Sequence, residues 1–129
     1  RRLFSDYLRD YAQAENKTVF LTSHIIQDME RLIDDCIIMD YGRILTQKPV
    51  KELLSSLYQY TCQVPEGYEP QLPDSFYHPS VIRGTLETCS FLPPAEAEEA
   101  LKKHGVPYRS LSFGHVNLED AFIGLTGKY

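Results

Sequence analysis

Residues 18–44 read TVFLTSHIIQDMERLIDDCIIMDYGRI, and the spacing of their apolar positions decides the fold class. Thr18 to Thr22 is a short β-rich run without polar alternation, as a strand covered on both faces requires. Ile26, Met29, Leu32 and Ile33 change to helical spacing. Cys36 to Met39 is a second covered strand, and Asp40-Tyr-Gly-Arg43 turns it back into Ile44 and Leu45.

Upstream, Leu3, Phe4, Tyr7, Leu8, Tyr11 and Ala12 form one helical stripe. Downstream, Pro49 opens a helix carrying Val50, Leu53, Leu54 and Leu57 at i, i+3, i+4 and i+7. Helix, strand, helix, strand, hairpin, helix is the order of an α/β layer with a mostly parallel sheet. Two covered strands imply more sheet members than residues 1–57 supply. The first residue is Arg1, not Met, and no N-cap precedes Leu3. The expectation is a chain cut from a longer one.

The two halves differ in composition. Residues 1–64 hold one Pro and one Gly, and residues 65–129 hold seven and six. Four prolines fall within 65–79, so that segment reads as a linker or long loop. A boundary near 58–64 divides the chain into a sheet domain at 1–57 and a small α+β domain at 58–129. In the second part Tyr58, Tyr60, Cys62 and Val64 alternate as a half-buried strand. Val81 to Leu92 is another extended run, with Gly84 as a bulge. A helix runs from Pro94, with Ala97, Ala100, Leu101 and His104 on one face and Gly105 as its stop. Val106 to Phe113 is a third strand. Asn117 caps a last helix through Leu118, Phe122 and Leu125, with Asp120 three residues after the cap and Gly127 closing it.

Composition bounds the function. The 129 residues are 43% hydrophobic and 24% charged, which is globular rather than disordered. No apolar run reaches membrane-spanning length, and no secretory signal opens the chain. With 13 basic against 18 acidic residues and no basic stripe, nucleic acid is not an expected partner. Cys36, Cys62 and Cys89 are odd in number and lack Cys-x-x-Cys spacing, which argues for a reducing cytoplasm and against a disulfide framework or a zinc site. His78, His104 and His115 share no metal-ligand spacing with them. Tyr58, Tyr60, Tyr68, Phe76 and Tyr77 gather around the linker, either as a partner-binding face or, the simpler account, as an edge strand packing on the small domain.

His24 is the informative polar residue. It follows a covered strand and precedes a helix, where ligands of open α/β sheets bind and where an imidazole can donate to phosphate; the plainer account from position alone is a His filling that turn with no ligand. Gly124-Leu-Thr-Gly127-Lys128 imitates a phosphate loop and fails. Phe122 stands where the first Gly belongs, Tyr129 follows the Lys, and the stretch ends a helix, where the dipole repels phosphate.

The whole stretch 18–44 resembles the late part of an ATP-binding-cassette (ABC) ATPase. The matching pieces are a strand ending Ser23-His24, a helix with Glu30 and Leu32, Asp34 or Asp35 before the next strand, and Gly42-Arg43-Ile44. Glu52-Leu53-Leu54 matches the helix that closes the cassette core, and residues 117–127 resemble the ending of export-type cassettes with an accessory C-terminal region. Gln47-Lys48 departs from the pattern, where a Gly is frequent. The resemblance implies the C-terminal end of a P-loop NTPase-like core followed by a small α+β accessory domain. It makes His24 the switch histidine, both catalytic and cofactor-binding, which contacts the γ-phosphate of ATP and helps position water. It implies ATP and Mg²⁺ in the parent protein, with a membrane permease and a second ATPase subunit as partners, on the inner face of the cell membrane. Phosphoryl transfer needs amides, Lys and Mg²⁺ together, so this chain alone is expected to bind no nucleotide tightly and to hydrolyse none. Its unpaired sheet edge is expected to drive self-association. The rival expectation is a non-enzymatic regulatory or partner-binding module in residues 58–129.

Overall fold

The computed structural model describes residues 2–14, 18, 20, 22, 26 and 29–127, with side chains described from residue 6 onward. Of the strand expected at 18–22, Val19 and Leu21 lie outside the described residues, and Thr18, Phe20 and Thr22 carry no strand assignment. The stripe at the start forms α1 (Arg2–Ala14), followed by the single turn α2 (Met29–Leu32). Leu8 and Ala12 are half-buried, while Tyr7 and Tyr11 face out.

The covered strand at 36–39 becomes β1 (Asp35–Asp40), antiparallel to β2 (Arg43–Pro49). Tyr41 (φ 51) and Gly42 (φ 74) make their connection. Two successive positive φ values give the turn whose twist matches paired strands, and Gly carries its half of that without a Cβ clash. The register slips between Ile38 and Met39, leaving Leu45 as a bulge. Ile38 and Thr46, a cross-strand pair, turn inward and are buried. Both sheets of the described residues are antiparallel, so the mostly parallel layer expected of residues 1–57 is not seen there.

After α3 (Val50–Ser56) the chain enters a four-stranded sheet in the order β4-β5-β3-β6, from β3 (Tyr58–Gln63), β4 (Phe76–Ile82), β5 (Thr85–Ser90) and β6 (Arg109–His115). Two sequence expectations are corrected. The linker ends earlier than 79, because residues 76–79 belong to β4. Pro79 is tolerated because β4 is an edge strand, irregular between Tyr77 and Ser80. Gly84 is no bulge: with Arg83 (φ 52) it forms the β4–β5 hairpin turn, and its carbonyl accepts from Val64 N–H at 2.8 Å.

α4 (Pro94–Lys103) lies over one face of this sheet, burying Ala97 and Leu101 against Tyr60, Cys62, Phe76 and Leu86. Burial of a Leu of this kind stabilises by roughly 2 kcal/mol. Tyr60, 1% exposed, keeps its hydroxyl satisfied by donating to Leu92 O at 2.6 Å. α5 (Leu118–Thr126) begins as its sequence demands: Asn117 Oδ1 accepts from Asp120 N–H at 2.8 Å, and Gly127 closes the helix at φ 72.

The described residues form two cores. One has its buried residues within 60–106, with Tyr58, Tyr108 and Leu111 packed against it. The other joins Ile38, Leu53 and Leu57 to Cys89, Leu118, Ala121 and Leu125, so the last helix completes the core of the first half. Lys48 adds a second link, its ammonium 4.2 Å from the centre of the Phe91 ring.

Candidate functional site

His24, the residue the sequence singles out, lies outside the described residues, as do Ser23 and Ile25. The next described residue is Ile26. Ile26 O accepts from Met29 N–H at 3.0 Å, and Met29 O accepts from Ile33 N–H at 3.0 Å. Ile26, Met29 and Ile33 are partly buried against the core that holds Leu53, Leu118 and Leu125. Asp34 O receives Val50 N–H at 2.9 Å, so the start of α3 is anchored to the same segment.

Two polar contacts grip α2 from outside it. Arg9 of α1 donates to Arg31 O. Glu30 Oε1 accepts from Leu118 N–H at 2.9 Å, across 88 residues of chain. Leu118 is the first residue of α5, and its amide is one of the orphan donors at a helix start. A carboxylate there also meets the positive end of the helix dipole. The sequence gives no sign of this pairing, because nothing local relates positions 30 and 118.

The remaining candidates are scattered. His104 caps the C-terminus of α4. His115, at the end of β6, sits with its ring 4.6 Å from that of Tyr58 and its Nδ1 3.2 Å from Leu57 O. His78, at φ 43, lies in the irregular stretch of β4 beside Gly127. Among the described residues no three His, Cys, Asp or Glu side chains are placed to hold a metal ion. The cysteines are free thiols. Burial pushes Cys89 up to about 11, helped by the charges of Asp120 and Glu87, and also raises Cys62 and Cys36. Thiols held protonated are poor nucleophiles and poor metal ligands.

The aromatic cluster packs on the small domain as its simpler account has it, but only Phe76 and Tyr77 are on an edge strand, Tyr58 and Tyr60 being on the inner strand β3. Tyr60 and Phe76 are buried, and Tyr58 and Tyr68 pack against the same core. An open groove runs between the 66–70 loop and the β4–β5 hairpin, past Glu66, Tyr68, Glu69, Ser80 and Arg83. Gly124 to Gly127 ends α5, where free carbonyls point at any anion, so this stretch is no phosphate cradle. No helix among the described residues is long and apolar enough to cross a membrane.

Comparison with known proteins agrees with the sequence resemblance. The chain is 30% identical over 138 residues to the Nod factor export ATP-binding protein I of Ralstonia nicotianae, covering 99% of this chain and 42% of that protein. The proteins of the same name from Cupriavidus metallidurans and Rhizobium leguminosarum bv. viciae are 32% and 30% identical, again over 99% of this chain. The chain thus spans about two-fifths of the length of these relatives, 42–43%. No protein-family profile matches it, and no solved structure does. Along its length the chain is similar to ABC transporter ATP-binding proteins, and its structure is mixed α/β.

Proposed function

We propose that this chain is the C-terminal part of the ATP-binding subunit of an export-type ABC transporter, with the end of the nucleotide-binding core at 1–57 and an accessory α+β region at 58–129. The observation that carries this reading is similarity across 99% of the chain to proteins named for export and ATP binding. The Ser23-His24 and Gly42-Arg43-Ile44 pieces support it. In this reading His24 contacts the γ-phosphate of ATP and orients the attacking water. Mg²⁺, the other phosphate ligands and the second subunit come from outside these residues, and the complex sits on the inner face of the membrane through its permease. The test is ATP hydrolysis by the complete subunit. His24→Ala is expected to lower kcat at least ~100-fold, the scale of a lost proton-handling group, while the 129-residue chain alone shows no saturable activity. Activity in the isolated chain that His24→Ala removes would overturn the reading.

A second reading places partner binding in residues 58–129. It is favoured by the self-contained core of that region and by Phe113, 56% exposed on the edge strand β6. Phe113→Ser in the complete subunit is then expected to abolish permease capture without affecting hydrolysis. Capture equal to that of the unmodified chain removes this reading.

A further inference from the structure

We infer that Glu30 is a positioning residue, tying the segment that leads away from His24 to the start of the C-terminal helix. The inference rests on the functional reading above and adds to it a means by which residues at the far end of the chain act on the nucleotide site.

α2 is four residues long, Met29–Leu32. One turn of helix cannot hold itself, because nucleation fixes several dihedrals for a single hydrogen bond. Its place is therefore set from outside. The apolar part of that support is Ile26, Met29 and Ile33 against Leu118, Ala121 and Leu125. The polar parts are the Arg9 bond to Arg31 O and the Glu30 carboxylate on Leu118 N–H.

α5 does not need Glu30 in order to form. Asn117 already caps it through Asp120 N–H, and Asn117 O accepts Ala121 N–H at 2.9 Å. Glu30 thus matters less to the helix than to the segment it fastens. Only five residues separate Glu30 from His24 in the sequence, so a tie at Glu30 acts close to the histidine along the chain. The accessory region is then a brace for Met29–Leu32, the turn that follows the switch histidine in sequence, and the effect of that brace on the histidine is read in catalysis.

The tie is tested on this chain by hydrogen exchange of Glu30→Ala and Glu30→Gln. Glu30→Ala is expected to speed exchange in residues 26–33 about tenfold, the scale of a lost bond to a charged group, with α4 and β5 unchanged. Glu30→Gln, whose amide oxygen still accepts, is expected to recover most of the protection. In the complete subunit Glu30→Ala is expected to lower kcat with KM for ATP unchanged, and Glu30→Gln to restore it. Unchanged exchange in 26–33, or an equal rise throughout the chain, overturns the tie. Faster exchange with unchanged kcat overturns its link to catalysis. Hydrolysis indifferent to His24→Ala is a different failure: it sinks the functional reading, while exchange on the isolated chain still judges the tie.

Discussion

Cys89 Sγ fills the space beside Gly124 that a side chain would need: a methyl group built on Gly124 would overlap Cys89 Sγ and lie 3.3 Å from Cys89 Cβ. α5 can reach β5 this closely only because the helix carries no side chain there. Gly in mid-helix costs about 1 kcal/mol against Ala, so propensity alone favours Gly124→Ala, but forcing a methyl into packed space costs about 1–3 kcal/mol. The overlap wins. Gly124→Ala is expected to lower stability by about 1 kcal/mol or more in urea melts, and Cys89→Ala in the same chain to recover part of that loss.

Thr46 is buried on the inner face of β2 with a hydroxyl that finds no partner among the described residues. An unsatisfied buried hydroxyl costs about 1–3 kcal/mol, and Val has nearly the same shape. Thr46→Val is expected to raise stability by about 1 kcal/mol, read as a higher denaturation midpoint with an unchanged slope.

Alkali should weaken the fold from within. Cys89 is pushed from 9.0 to about 11 and Tyr60 from 10.0 to about 12, in both cases chiefly by burial. The unfolded chain releases these protons first, so the native state binds more of them and stability falls as pH rises. The contribution is complete below pH 9 and fades between 9 and about 11 for the thiol. Thermal melts across that range should show a shallower decline in Cys89→Ala; identical slopes would contradict the assignment to Cys89.

The β1–β2 hairpin presents Met39 and Ile44, 55% and 58% exposed, and has no third strand among the described residues. Isolated two-stranded sheets are marginal in water, and bare edges recruit other chains. The chain is expected to self-associate through this hairpin, giving a mass in light scattering that rises with concentration. Met39→Lys with Ile44→Lys should return it to a monomer. A constant monomeric mass for the unmodified chain over a broad concentration range counts against this.

The elements legible in the sequence are those whose signals are local. Asn117, Asp120 and Gly127 mark both ends of α5, and Gly105 ends α4 with φ 77, because caps depend on neighbouring backbone groups alone. β4 is hidden for a physical reason. Pro73 and Pro79 flank or interrupt it, and only pairing with β5 on one side makes Phe76–Ile82 a strand. The shared core is equally hidden, since Leu57 and Leu118 meet without any periodic relation between them. At the site, the sequence singles out His24 from an expected strand–helix turn and the resemblance, and His24 lies outside the described residues. Glu30 stands out only as part of that resemblance; its partner 88 residues away can come only from the folded chain.

α5 also sets a timetable. Leu53 and Leu57 are fully buried, yet Leu118, Ala121 and Leu125, which share their core, are made more than sixty residues later. At the ribosome's usual pace that interval lasts roughly 3–12 s. By its end the sheet centred on Tyr60 has all four strands, the last ending at His115, while the first half of the chain still lacks the α5 cover of its apolar surface. The sheet can therefore form before the core that precedes it is closed, and a nascent chain stalled just short of residue 118 would present a chaperone with the hairpin and α3 rather than with the sheet.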